Sequence, residues 1–186
     1  VDSRSGIVDE LTRDHQRIQD LFDRIRSVRP DTGERSALVE QVCAELVRHS
    51  VVEKAHLYPA VRRYLPDGDR WAERELAAHQ ELEELLVSLE AAEPGGEESG
   101  RLLLAVVARA TEHIVGQEQL LFPRLQALCP AEALRDLGDK ARATAASAPT
   151  RPRSTTPDSA PLVKLTAQVW GPWDRLRDLT TRRGRR

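Results

Sequence analysis

Methionine is absent from the 186 residues and cysteine occurs only twice. Cys43 and Cys129 stand 86 positions apart, with no CxxC pair, which argues against a disulfide scaffold and a thiolate zinc site. A metal held by this chain would therefore need nitrogen and oxygen donors. No run approaches the ~18–20 uninterrupted apolar residues of a membrane span, and charged residues punctuate the first turns, so neither a span nor a signal peptide is expected. No stretch alternates apolar and polar residues as a strand does. The lack of Met also leaves less readily oxidised side chain in the core. These absences leave a soluble, cytoplasmic, helical protein as the expectation.

What is present is enough for one globular core: 40% hydrophobic and 31% charged residues, at a length that buries a sizeable interior. The net charge of −2 averages two unlike parts. Residues 1–140 hold 18 Lys and Arg against 27 Asp and Glu, a net of −9, and all five His. Residues 141–186 hold 10 against 3, a net of +7. From Ala141 the composition turns to Ala, Pro, Ser, Thr and Arg, with Pro149, Pro152, Pro157 and Pro161, which predicts a flexible linker over 141–161. Residues 162–186 read as a short amphipathic basic tail, with Leu162, Leu165, Val169, Trp173, Leu176 and Leu179 at rough helical spacing before Arg182-Arg183-Gly184-Arg185-Arg186. Docking on the bundle, weak attraction to an anionic surface, and disorder are its three open fates. Opposite charge and two Trp favour docking, and no specific nucleic-acid partner is expected.

Residues 1–140 carry four stretches with apolar residues three and four apart. Ile7, Leu11, Ile18, Phe22 and Ile25 make the first stripe, which stops near Pro30. Leu38, Val42, Leu46, Val52 and Leu57 make the second, opened by Asp31-Thr32-Gly33-Glu34 with capping-box spacing. The third (Leu76, Leu82, Leu86, Leu89) runs from Asp69 to Pro94-Gly95-Gly96. The fourth holds Leu103, Val106, Ala110, Leu121 and Leu125. The expected fold is all-α, an up-down-up-down four-helix bundle.

A shift of 64 positions superposes the two halves: Ile18 falls on Leu82, Phe22 on Leu86, Val42 on Val106, and Tyr58-Pro59 on Phe122-Pro123. His15 falls on His79 and His49 on His113, so 34 residues separate the His pair in each half. The bundle is thus read as two repeated helical hairpins. At 100° per residue, each of these four His lies on its helix's inward stripe, and Glu53 adds a carboxylate one turn after His49. Four inward imidazoles in an apolar core would cost about 1–3 kcal/mol each if unsatisfied. A hydrogen-bonded network is one answer; a metal is the other, and the pseudo-twofold arrangement favours it. The donor set suits iron, manganese or zinc, and inward carboxylates can bridge two metals.

On Asp14-His15, His49 to Glu53 with Leu57-Tyr58-Pro59, His79, and His113 to Glu118 with Leu121-Phe122-Pro123, residues 7–140 resemble the hemerythrin-like, HHE cation-binding family. That resemblance implies two iron ions in an oxo- or hydroxo-bridged centre that reacts with dioxygen or its reduction products. It implies His15, His49, His79 and His113 as ligands and Glu53 as a bridge. The second bridge departs from the repeat, which sets Gln117 opposite Glu53; a neutral amide is a poor bridge. Glu118 has the five-residue spacing that hemerythrins use, and a π-turn near Gly116 would bring it inward. Glu75, whose repeat partner is Leu11, and His56, one turn beyond Glu53, are further candidates, with Gln117, for the coordination shell or its surroundings. Tyr58 and Phe122 are expected to cap the apolar end of the cavity, with Pro59 and Pro123 kinking or ending their helices.

The functional expectation is a di-iron protein that binds or reduces dioxygen, peroxide or nitric oxide in sensing, storage or oxidative-stress defence. Peroxide decomposition would make it an enzyme. An iron-responsive regulatory module without turnover is the alternative, and a metal-free bundle the third reading.

Overall fold

The computed structural model describes residues 5–30 and 32–150. The end of the expected linker and the whole basic tail, 162–186, lie outside the described residues. Helix α1 (Ile7–Ser27) and α2 (Gly33–Val52) form the first hairpin. Thr32 caps α2 by accepting the Arg35 N–H, one residue later than the capping-box spacing suggested. The α2 helix runs on through a π-turn, π1 (Glu53–Leu57), into α3 (Tyr58–Tyr64). The second hairpin repeats the plan: α4 (Gly68–Ala91), α5 (Glu97–Gly116), π2 (Gln117–Leu121) and α6 (Phe122–Leu128). Packing runs α1 on α2, α3 and α2 on α4, α4 on α5, and α5 back on α1. The described residues are all-α and close the expected four-helix bundle.

The π-turns sit at repeat-equivalent places, each just before a Tyr-Pro or Phe-Pro pair. Proline has no N–H, and its ring presses on the carbonyl one turn back. The chain answers by opening a wider turn: Tyr58 N–H reaches Glu53 O, and Phe122 N–H reaches Gln117 O. The helices then continue beyond Pro59 and Pro123, to Tyr64 and Leu128, rather than ending there. Because π1 follows Val52 and π2 follows Gly116, glycine is not what permits the distortion.

A further helix, α7 (Ala131–Ser147), packs on α1, α2 and π1. It corrects the linker expectation, since the helix persists past Lys140. Ala133, Leu134, Leu137, Ala141 and Ala145 supply its inward face. Gly138 allows the close crossing with α1: a Cβ there would stand 2.4 Å from Ser5 O. Arg142 pairs with Glu10 across the same contact. No helix among the described residues is long and apolar enough to cross a membrane.

The core falls into two large apolar clusters and a small one of Val51, Ala55 and Ala148. One large cluster gathers Ile7, Leu11, Leu57, Tyr58, Leu121, Phe122 and Leu125; the second gathers Ile18, Phe22, Leu46, Leu82, Leu86, Val106 and Ile114. Along α1, α2, α4 and the α5–π2 helix, a histidine stands at the border of the two. The polar layer they form is the site.

Candidate metal centre

His15 lies between Leu11 and Ile18 on α1, and His79 between Ala72 and Leu82 on α4; both are buried. His49 and His113 come from the last turns of α2 and α5. The repeat survives in the geometry: the His15–His49 and His79–His113 rings each meet edge on, with centroids 4.8 Å apart and planes at 61°. Phe122 stacks on His15 at 5.6 Å, which gives that aromatic a place against a ligand candidate as well as in the apolar wall.

Glu53 is the hub of the layer and is 0% exposed. Its Oε1 lies 3.3 Å from His49 Nε2. Its Oε2 lies 2.8 Å from His79 Nε2, 3.2 Å from His113 Nε2, and accepts the Tyr58 hydroxyl at 2.9 Å. Donor atoms of His15, His49, Glu53 and His113 all fall within 4.8 Å of one another. His15 Nε2 has no hydrogen-bond partner among the described residues, and the fully buried Gln117 amide stands by the Tyr58 hydroxyl.

The outer nitrogen of each ring faces an oxygen. His15 Nδ1 is 2.8 Å from Glu118 Oε1, and His113 Nδ1 is 3.1 Å from Glu75 Oε2. His49 Nδ1 is 3.8 Å from Asp14 Oδ2. His79 Nδ1 is 2.9 Å from Ser50 Oγ, which donates to Glu83 Oε1 at 2.9 Å; Lys54 Nζ donates to the same oxygen at 3.0 Å. Oxygens behind the rings, with the other nitrogen of each ring turned inward, are the arrangement by which a protein aims imidazoles at a cation.

Charge follows from these contacts. Burial pushes the His49 imidazole down, but Glu53 and Asp14 outweigh it and hold the group up at about 10. His113 is likewise depressed by burial and carried to about 9 by Glu53 and Glu75. His15 falls to about 2 through burial and the neighbouring His49. Burial also takes His79 to about 4, against the pull of Glu53. Glu53 itself, although burial raises it, is driven well below the carboxylate range by His49 and His113. Tyr58 is pushed up by burial and by the Glu53 and Glu75 carboxylates.

The structure therefore brings together His15, His49, Glu53, His79 and His113, with Glu75 and Glu118 behind two of the rings. It does not bring Glu118 into the inner group. A π-turn is present, yet it begins at Gln117 and gives that residue the inward position, leaving Glu118 38% exposed against the back of His15. His56 is also outside the group: its Nε2 is 2.7 Å from Thr144 Oγ1 on α7, a helix absent from the expected bundle. Tyr58 Oη and the Ser50, Glu83 and Lys54 chain escaped the sequence reading. Tyr58 was read as an apolar cap, and Ser50 and Glu83 carry no spacing signal until His79 is placed beside them.

Residues 6–125 match the model of the hemerythrin HHE cation-binding domain. An uncharacterized hemerythrin-like protein of Schizosaccharomyces pombe is 27% identical over 175 residues, spanning 93% of this chain and 85% of its own. The fold is shared with the crystal structure of a hemerythrin HHE cation-binding domain-containing protein from Mycobacterium kansasii, at a TM-score of 0.68 and 18% identity, covering 97% of this chain and 94% of that one.

Proposed function

Since this chain belongs to the hemerythrin HHE cation-binding domain family, we propose that it is a non-haem di-iron protein that reacts with dioxygen, peroxide or nitric oxide. The observation that carries this reading is the buried layer of inward nitrogens around one carboxylate, in which His15 Nε2 has no hydrogen-bond partner among the described residues. Buried polar atoms of this kind are rare unless something satisfies them, and a nitrogen and oxygen set without thiolate fits iron.

His15, His49, Glu53 and His113 would hold one ion; His79, sharing Glu53 and with the Tyr58 oxygen beside it, would hold the other. Bound iron would supply the electron transfer that protein side chains cannot. The chain's own contribution is positioning and exclusion. The two large apolar clusters close the layer above and below, Phe122 covers His15, and the Tyr58 hydroxyl donates to Glu53 Oε2. These features suit a small uncharged ligand reaching a dry, preorganised site.

The polar layer also favours a second reading. It divides the core, so metal uptake would stabilise the whole bundle, as an iron-responsive regulatory module requires. One experiment separates the two: iron per chain, then absorption spectra of the ferrous protein mixed with oxygen, peroxide and nitric oxide. Two irons and a ligand-dependent spectrum or gas release support the proposal. Full occupancy with unchanged spectra leaves the regulatory module, and manganese or zinc in place of iron overturns the redox reading.

A further inference from the structure

The two halves of the centre differ at a pair of repeat-equivalent positions. Glu118 in π2 corresponds to Lys54 in π1. On the first of these, a carboxylate touches His15 Nδ1 directly, at 2.8 Å. On the second, an ammonium occupies the corresponding place, and it cannot accept a ring proton. Ser50 and Glu83 take over that task for His79, and Lys54 closes on Glu83 instead.

Proton counting fixes the consequence. Ser50 has a single hydroxyl proton, and it goes to Glu83 Oε1 at 2.9 Å. The Ser50 oxygen can then only accept from His79, 2.9 Å away, so the His79 proton sits on Nδ1. Nε2 is left with its lone pair, 2.8 Å from a Glu53 oxygen that is also an acceptor. The Tyr58 hydroxyl lies 2.9 Å from both and has one proton to give, to the ring nitrogen or to the carboxylate, whereas a cation would bind the nitrogen and the carboxylate together. The cost of holding this tautomer is met by a buried chain of three residues, including a lysine that is 1% exposed.

We propose that Ser50, Glu83 and Lys54 are positioning residues that lock His79 as the Nδ1–H tautomer, and that Lys54 makes His79 a weaker donor than His15, so the two halves of the centre bind metal unequally. The proposal rests on the metal-centre reading above. A full carboxylate behind His15 draws the ring proton strongly and raises the basicity of Nε2. Behind His79 the Glu83 charge is shared with Lys54 on the same oxygen and reaches the ring only through a hydroxyl.

The test uses ¹⁵N-labelled full-length protein without metal, reading each imidazole tautomer by long-range ¹H–¹⁵N correlation, followed by titration with zinc alone. Wild type is expected to show His79 protonated at Nδ1 and a two-step zinc isotherm, the steps at least about tenfold apart. Ser50→Ala should move the His79 proton to Nε2 and weaken the second step about 10–100-fold, whereas Ser50→Thr, which keeps the hydroxyl, should restore both. Glu118→Gln should narrow the gap by weakening the first step. An unchanged tautomer in Ser50→Ala overturns the positioning role, and a single-step wild-type isotherm overturns the inequality. No zinc uptake at all by wild type would instead sink the metal-centre reading, an outcome told apart by the His79 tautomer, which is read without metal.

Discussion

Glu118 Oε1 stands 2.8 Å from His15 Nδ1, on the side of the ring turned away from the centre. From there it can aim His15 without entering the inner group. Glu118→Gln is expected to lower metal affinity about 10–100-fold while keeping the number of ions per chain. Metal quantification after dialysis against graded chelator measures both. Loss of one ion per chain would show that Glu118 coordinates directly, as the five-residue spacing from His113 suggests.

Gln117 is the residue that takes the inward place, fully buried and opposite Glu53 in the repeat. Gln117→Glu would set a second carboxylate in the layer. In the metal-free protein this should lower stability, because a buried carboxylate costs more to desolvate than the neutral amide it replaces. With metal the sign reverses, because an anionic oxygen binds a cation more tightly than an amide does. Calorimetric melting with and without zinc should show a lower metal-free Tm and a larger gain on loading. Equal gains in both proteins would remove Gln117 from the centre.

The bundle and four of the site's histidines were legible because each leaves a periodic trace. His15, His49, His79 and His113 share the spacing of the leucines around them, and the 64-residue repeat doubles that signal. Helix α7 was not legible, since only Leu134 and Leu137 mark its inward face and the rest is Ala133, Gly138, Ala141 and Ala145, in a stretch that runs into the Pro-rich composition after Ala148. The first π-turn left no cue beyond Pro59. Lys54 was hidden for a related reason: an α-helix with Glu53 facing inward turns the next residue outward, whereas the π-turn buries both.

Lys54 and Glu83 form an ion pair at 3.0 Å within the protein. Removing one charge takes this counter-charge from the other, which stays buried. Lys54→Met is expected to destabilise the metal-free bundle by about 3–5 kcal/mol, and pairing it with Glu83→Leu should recover most of that loss. Urea denaturation of the four proteins of this cycle gives the coupling energy. Additive effects would mean that the two charges do not depend on each other.

The metal-free protein should be most stable near pH 6.5, with stability falling on both flanks. On the alkaline side, His49 and His113 are held at about 10 and about 9, above their unfolded value of 6.5. Their contribution is full below 6.5 and is lost as pH rises through the folded values, because the unfolded chain gives up its protons first. On the acid side, His79 and His15 are lowered to about 4 and about 2. Below 6.5 the unfolded chain takes up protons that these two rings refuse, so stability falls with pH. Glu53, lowered from 4.5, adds to the acid loss. Thermal melts of chelator-treated protein between pH 4 and 10 check the shape, and a monotonic profile would contradict it. The same protons govern loading. At pH 7 His49 and His113 carry charges that a cation must displace, so zinc uptake in weakly buffered solution should release roughly two protons per chain. An indicator dye reads that release directly, and uptake without it would mean that the metal sits away from these two rings.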